Sequence, residues 1–122
     1  MSNGFMWFDV SAAPGDVDAV TEFYRAVFEG PIAPDAGEGP YASWLLDGDR
    51  PWAAVVASRD ATAGRWIPYV HVEDLDAAVR AAEAAGGEVV VPRTAGPAGE
   101  AVTVADPAGA LVALWIPFGS EG

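Results

Sequence analysis

The sequence predicts an α+β fold in which two tandem βαβββ modules form a curved mixed sheet around a cavity. The pattern DVDAV at residues 16–20 recurs as DLDAA at residues 74–78, which indicates an internal duplication. Each copy begins a helical pattern that follows one strand-like run and precedes shorter ones. We therefore expect a single domain over residues 1–122, with module 1 at about 4–58 and module 2 at about 65–118.

The strand-like runs are short and apolar, and turn signals such as Asp47-Gly48 separate them. The run that opens each module is expected at residues 5–10 and 66–72. The later runs are expected at 31–33, 41–46 and 52–57 in module 1, and at 88–91, 101–104 and 110–116 in module 2. Both modules therefore follow the same order of strand, helix and up to three further strands.

The two helices are predicted from apolar residues at spacings of three and four, which give each helix one apolar face. Asp16 and Asp74 are predicted N-caps, because a short carboxylate can accept hydrogen bonds from the free amides of the first turn. Gly30 and Gly86 stand where glycines commonly end helices. The apolar positions are Val17, Val20, Phe23, Tyr24, Val27 and Phe28 in the first helix, and Leu75, Ala78, Val79, Ala82 and Ala85 in the second.

The composition excludes several classes of protein. The net charge is −12 and the only basic residues are six scattered arginines, so the basic surface of a nucleic-acid-binding protein is missing. The chain has no cysteine, which removes disulfides, thiol catalysis and cysteine metal sites. No apolar stretch is long enough for a membrane span, and the start shows no leader pattern, so we expect a cytoplasmic protein.

Four motifs, taken in order, resemble the vicinal oxygen chelate superfamily of glyoxalases, bleomycin-resistance proteins and extradiol dioxygenases. The resemblance spans roughly residues 5–117, and it implies the fold more specifically than any one reaction. It also implies a homodimer, since members of this superfamily usually pair. The motifs are FYRAVFEG at 23–30, YVHVEDLD at 69–76, GG at 86–87 and DPAG at 106–109.

The same resemblance implies a divalent metal held by His, Gln and Glu side chains from several strands. The matching positions fall at Ala54 and Ala113, and near Phe5 and Ile67. Carbon-only side chains cannot coordinate such a cation, and the chain has a single histidine. We therefore expect no metal and no cofactor, which puts glyoxalase, dioxygenase and thiol-transferase activities in doubt.

Strand alternation predicts which side chains face the cavity, because successive residues of a strand point to opposite faces. The predicted surface is rich in aromatic rings and suits a flat organic ligand. The alternative is that these rings simply fill the core. Tyr41 and Ser43 can add hydroxyl contacts. The predicted ligand-binding residues are Phe5, Trp7, Asp9, Trp52, Ala54, Ile67, Tyr69, His71, Ala113 and Trp115.

Two polar residues share this predicted face. Asp9 precedes Val10, and His71 precedes Val72, so we expect the two to match across the duplication. A carboxylate beside an imidazole favours imidazolium and can act as a general acid/base pair near neutral pH. The alternative is a structural hydrogen bond or a group that orients the ligand.

Three functions are compatible with these observations. The first is metal-independent binding of a small aromatic or cationic natural product, of the sequestration type found in antibiotic resistance. The second is a metal-free isomerase, cyclase or hydrolase of specialised metabolism that uses Asp9 and His71 as acid and base. The third is a degenerate domain with a structural or regulatory role. In each case a homodimer would protect the open edges of a small sheet.

Overall fold

A computed structural model describes residues 5–28, 32–34, 41–96 and 98–119. The chain divides into two compact units. The N-terminal unit is Trp7–Trp66, and the C-terminal unit runs from Ile67 onward and includes Phe5 and Met6. Gly30, predicted to end the first helix, lies outside the described residues.

The N-terminal unit contains one helix and a mixed set of strands. Strand β1 is followed by a short 3-10 turn at Pro14–Asp16 and then by helix α1. The strands pair in the order β2-β3-β4-β1, with β1 parallel to β4 and the other neighbours antiparallel. The elements are β1 (Phe5–Ala12), α1 (Val17–Phe28), β2 (Ile32–Pro34), β3 (Tyr41–Asp47) and β4 (Arg50–Ala57).

The C-terminal unit repeats this plan. Its strands pair in the order β5-β8-β7-β6, with β5 parallel to β8 and the other neighbours antiparallel. The elements are β5 (Trp66–His71), α2 (Leu75–Ala84), β6 (Glu88–Ala95), β7 (Gly99–Ala105) and β8 (Leu111–Pro117). The predicted α+β class and the βαβββ order of both modules are confirmed.

The core of the N-terminal unit lies between α1 and one face of its strands. Leu45 and Val55 are among its largest fully buried side chains, and Val17, Val20 and Tyr24 of α1 pack against the same cluster. A buried pair of hydroxyls also joins helix and sheet, since Thr21 and Ser43 lie 3.0 Å apart, oxygen to oxygen. The members of the buried cluster are Val10, Ile32, Leu45, Ala53 and Val55.

The core of the C-terminal unit has the same layout. Leu75, at the start of α2, is fully buried, and Val79 and Ala82 follow it along the face that meets the strands. Spacings of three and four therefore predict the buried face of this helix correctly. The strands contribute Val102, Val104 and Ile116, with Val112 and Leu114 packed beside them.

The two helices begin in different ways. The side chain of Asp74 accepts a hydrogen bond of 2.9 Å from the amide of Ala77, so its predicted capping role is confirmed. The same prediction is wrong for Asp16. That residue ends the 3-10 turn and donates its own amide to Ala13, so the turn leads directly into α1 and takes the place of a side-chain cap.

The segment that follows β4 is bound to the N-terminal unit. The amide of Ser58 donates to the carbonyl of Ala12, the amide of Gly64 donates to that of Ser11, and the amide of Ser11 donates to that of Arg65. Within the segment, Asp60 accepts from the hydroxyls of Ser58 and Thr62, and the Thr62 hydroxyl in turn lies 3.4 Å from that of Ser11 in β1. This segment is therefore held along the end of β1.

Neither α1 nor α2 is long and apolar enough to cross a membrane, and no other helix in the described part of the chain is.

Candidate functional site

Two irregularities in the pairing of β3 with β4 decide which side chains share a face. Leu45 pairs with Ala53, but Leu46 pairs with Pro51, so Trp52 is an extra residue in β4. Farther along, Ser43 and Tyr41 pair with the adjacent residues Val55 and Val56, so Ala42 is extra in β3. Each extra residue is a β-bulge, and a bulge interrupts the strict alternation of faces.

The first bulge turns Trp52 toward helix α1. Its ring lies 6.1 Å from Phe8, 6.1 Å from Phe28 and 6.2 Å from Trp66, measured between centroids, and it packs on the buried cluster beneath the helix. The prediction that Trp52 shares a face with Trp7 and Asp9 is therefore wrong, because strict alternation does not hold through a bulge.

The second bulge brings Tyr41 to the opposite face of the sheet. There the Tyr41 ring stacks on Trp44 with centroids 5.5 Å apart and planes 19° apart, and Trp7 meets Trp44 edge to face at 5.7 Å and 76°. The indole Nε1–H of Trp7 donates to Oδ1 of Asp9 at 2.7 Å. We call this group of side chains the ring–carboxylate cluster; its members are Trp7, Asp9, Tyr41 and Trp44.

The electrostatics of this cluster are set by a buried carboxylate. Asp9 is only 4% exposed, whereas the rings around it are partly exposed. Burial, and secondarily the charge of Asp9, raise the pKa of Tyr41 to about 12. The Tyr41 hydroxyl therefore stays protonated at neutral pH beside a region of negative potential.

The sequence does not single out Trp44, because nothing in β3 distinguishes it from a core tryptophan. Only its register opposite Ala54, which itself pairs with Asp9, places it in the cluster. Ser43, predicted as a possible hydroxyl contact, faces α1 and is 1% exposed. The side chain of Phe5 lies outside the described part of the chain.

The C-terminal unit carries a related surface on the face opposite α2. Tyr69 and His71 pair with Ala113 and Trp115 across β5 and β8, and the His71 ring meets the Trp115 ring at 5.9 Å and 65°. Ala113 and Trp115 alternate with the core residues Val112, Leu114 and Ile116 of β8, and Tyr69 and His71 lie beside them by their pairing. Alternation therefore places these predicted residues on one face. Ile67, also on β5, is almost fully buried.

The strand registers correct the predicted match between Asp9 and His71. Asp9 pairs with Ala54 in the N-terminal unit, and Tyr69 pairs with Ala113 in the C-terminal unit. Because Ala54 and Ala113 are equivalent in the duplication, Tyr69 is the counterpart of Asp9. His71 corresponds instead to Ser11, which pairs with Val56 as His71 pairs with Trp115.

The residues do not fit the metal site that the superfamily resemblance implies. Ala54 and Ala113 lie on the expected faces, are fully buried and offer only carbon. Among the described residues, no group of three or more His, Asp or Glu side chains is arranged to hold a metal ion. The donor set that a hard or borderline cation requires is therefore not assembled there.

A separate hollow of about 500 Å³ lies on the α1 side of the N-terminal unit. Trp52 and Phe28 contribute aromatic walls, and Asp47 contributes a carboxylate at the β3–β4 turn. The hollow is open to solvent and mostly apolar. The other lining residues are Ile32, Leu45, Leu46 and Gly48.

Comparison with known families agrees with this architecture. The sequence model of the Glyoxalase-like domain family matches residues 8–115, and the chain belongs to that family. The resemblance to the vicinal oxygen chelate superfamily is thereby confirmed.

Two curated relatives match most of this chain. The anthracycline biosynthesis protein DnrV of Streptomyces peucetius is 31% identical over 133 residues, covering 95% of this chain and 48% of DnrV. The putative glyoxylase CFP32 of Mycobacterium tuberculosis is 31% identical over 118 residues, covering 89% of this chain and 44% of CFP32. The chain thus spans about half the length of the curated relatives it matches.

Solved structures share the fold at lower identity. A glyoxalase I mutant from Zea mays superposes with a TM-score of 0.63 at 19% identity, covering 97% of this chain and 44% of that chain. The Mn(II)-bound glyoxalase from Novosphingobium aromaticivorans gives 0.58 at 19% identity, covering 98% and 41%. At this identity the likeness concerns the fold and not the reaction.

Proposed function

We propose that this protein binds a small aromatic or cationic natural product without a metal ion, as a sequestering protein of the antibiotic-resistance type does. The observation that carries the proposal is the ring–carboxylate cluster on the face opposite α1. Three rings supply large apolar surfaces at defined angles, and stacking on such rings suits a planar ligand. Asp9 adds a fixed negative charge that favours a cation.

The relatives support a role in specialised metabolism. DnrV is an anthracycline biosynthesis protein, and so is DauV of Streptomyces sp. strain C5, which is 29% identical over 133 residues. Anthracyclines are planar polycyclic compounds, and a surface of aromatic rings is suited to stack on them. We therefore include an anthracycline among the test ligands.

The proposal also covers the second module and the assembly. Tyr69, His71 and Trp115 form a second set of ring-bearing ligand contacts in the C-terminal unit.

We propose a cytoplasmic homodimer, supported by apolar side chains of α1 that are unusually exposed, since Phe23 is 57% and Val27 is 51% exposed. Sedimentation of the purified protein measures this directly, and a monomer at all concentrations would contradict it.

Binding is tested by isothermal titration calorimetry with three aromatic probes: daunorubicin, 9-aminoacridine and anthracene-2-carboxylate. We expect saturable binding of at least one probe, with one molecule bound per chain at the ring–carboxylate cluster and at most one more in the C-terminal unit. The heat of binding should be unchanged after the protein is dialysed against a chelator, because no metal takes part in binding. Saturable binding of none of the probes would overturn the proposal, and loss of binding on chelation would overturn its metal-independence.

Matched variants locate the site. Trp44→Leu removes a ring of the cluster and should weaken binding at least about tenfold, or about 1.4 kcal/mol. Phe23→Leu removes an exposed ring on α1, which packs on the other face, and should leave binding unchanged. The reverse pattern would place the ligand on the α1 side, and equal effects would argue against the cluster.

Mass spectrometry of the bound ligand separates sequestration from catalysis. We expect the ligand to be recovered unaltered. A changed mass that disappears in both Asp9→Asn and His71→Ala would favour the metal-free isomerase, cyclase or hydrolase instead.

A further inference from the structure

We propose that the ring–carboxylate cluster recognises a protonated amine on an aromatic ligand, and that charge, more than ring stacking, is the feature it selects. This inference rests on the proposed binding function and names the chemical group that the site recognises. In this arrangement the ammonium contacts the ring faces, and the charge of Asp9 attracts it without direct contact.

The arrangement of the rings suits a cation. Tyr41 and Trp44 are close to parallel, whereas Trp7 is close to perpendicular to Trp44, so the cluster presents ring faces in two directions. Both centroid separations are below 6 Å. A cation in contact with one ring can therefore lie within the range of about 6 Å over which a second ring face attracts it.

Asp9 strengthens these ring faces without needing to reach the ligand. Its carboxylate is almost fully buried and accepts the Trp7 Nε1–H at 2.7 Å, a distance typical of a charge-assisted bond. Such a bond fixes the orientation of the indole and draws positive charge toward the N–H, which leaves the ring face more negative. Asp9 is thus a positioning residue for the Trp7 ring as well as a source of negative potential.

The Tyr41 hydroxyl lies in the same negative potential as the ring faces. Burial is the larger reason that the Tyr41 hydroxyl resists ionisation, and the Asp9 charge is the second. A field that opposes a phenolate at this position favours an ammonium there. The net charge of −12 adds a long-range attraction for cations.

A neutral planar compound would gain only stacking from this surface, and an anion would meet the field of Asp9. Aromatic stacking and cation–π contacts are each modest in strength and similar in size. A desolvated carboxylate nearby therefore decides between ligands of the same shape and different charge.

The test uses daunorubicin, whose sugar carries a primary amine, and N-acetyldaunorubicin, which keeps the rings and loses the charge. Fluorescence anisotropy measures both dissociation constants for the wild-type chain and for Asp9→Asn. We expect the amine to bind at least about tenfold more tightly than the amide to the wild type, and about equally to Asp9→Asn. Asparagine can still accept the Trp7 Nε1–H through its side-chain oxygen, so a purely structural role would leave the preference intact.

The outcomes separate this inference from the function on which it rests. Saturable binding of both compounds with equal affinity would overturn the inference and leave the binding function standing. Saturable binding of neither compound nor of the other probes would overturn the binding function itself.

A second measurement, made on the wild type, tests the inference if the Asp9→Asn variant does not fold. For the wild type, raising NaCl should weaken binding of daunorubicin severalfold and leave N-acetyldaunorubicin unchanged, because salt screens only the charged ligand. Equal salt dependence for the two compounds would contradict a role for the amine.

Discussion

Gly99 occupies a position at the start of β7 where no side chain fits. A Cβ there would lie 2.1 Å from the carbonyl oxygen of Ile116 and 2.8 Å from two ring carbons of Trp115. The absence of a side chain therefore lets β7 approach β8 and lets the Trp115 indole lie over the backbone of its neighbour. This explains a glycine in a strand, where it is normally unfavourable.

We predict that Gly99→Ala destabilises the fold by about 1–3 kcal/mol, because the added methyl must displace backbone or a large ring. Urea denaturation measures the free energy of unfolding. Gly15→Ala is the matched control, since a Cβ at Gly15 meets nothing within 4 Å. Equal stability of the two variants would show that β7 and β8 can separate at little cost.

Tyr41 makes stability depend on pH in the alkaline range. Its folded-state pKa is raised from 10.0 to about 12, first by burial and then by Asp9, so folding favours the neutral phenol. This contribution of Tyr41 to stability is fully present at pH values below its pKa in the unfolded chain. It is lost as the pH rises through its pKa in the folded protein. We predict a fall in the melting temperature between pH 10 and about 12 that is smaller in Tyr41→Phe, as thermal denaturation followed by circular dichroism would show. An identical fall in both proteins would contradict the assignment.

At the level of whole elements, the two helices differ in how their first turns are satisfied. Asp74 caps α2 through the Ala77 amide, whereas a 3-10 turn leads into α1. We predict that Asp74→Ala lowers the free energy of unfolding by about 1 kcal/mol, and that Asp16→Ala lowers it much less. Chemical denaturation of both variants makes the comparison, and equal losses would restore the capping role predicted for Asp16.

The periodicities of the sequence predict the elements well because helices and strands have fixed repeats. They place the buried face of α2 and the order of the strands along the chain in both modules. For α1 they are right for Val17, Val20 and Tyr24, which pack on the core, and wrong for Phe23, Val27 and Phe28, which are exposed. They fail at β3 and β4, because a bulge adds one residue with no change in apolar character. Trp52 consequently lies on the face opposite to the one that simple alternation assigns to it, and Ser43 and Tyr41 lie on different faces although alternation predicts the same one.

The matching of Asp9 with His71 failed for a related reason. The match rested only on the valine that follows each of the two residues, Val10 and Val72. The helix starts Asp16 and Asp74 are 58 residues apart, which would match Asp9 with Ile67, whereas the strand registers match it with Tyr69. Register, which depends on backbone pairing across distant strands, is the information that the sequence alone lacked.

At the scale of the whole chain, a net charge of −12 implies self-repulsion in the compact state. We predict that the melting temperature rises when NaCl is raised from about 0.05 M to about 0.5 M, because the Debye length becomes shorter than typical surface charge separations. A variant with Asp49→Asn, Glu83→Gln and Glu88→Gln, all exposed acids, should gain less from salt. A gain equal to that of the wild type would point to an effect of salt other than screening.

The hydrogen bonds that hold residues 58–65 along β1 bear on how two copies can associate. Exchange of modules between copies requires the joining segment to swing out as a hinge. Here that movement would break the backbone bonds at Ser11 and Ala12 and the contact between the hydroxyls of Thr62 and Ser11. A domain-swapped pair would thus form slowly, behind a kinetic barrier, whereas side-by-side association of intact chains would not require these bonds to break.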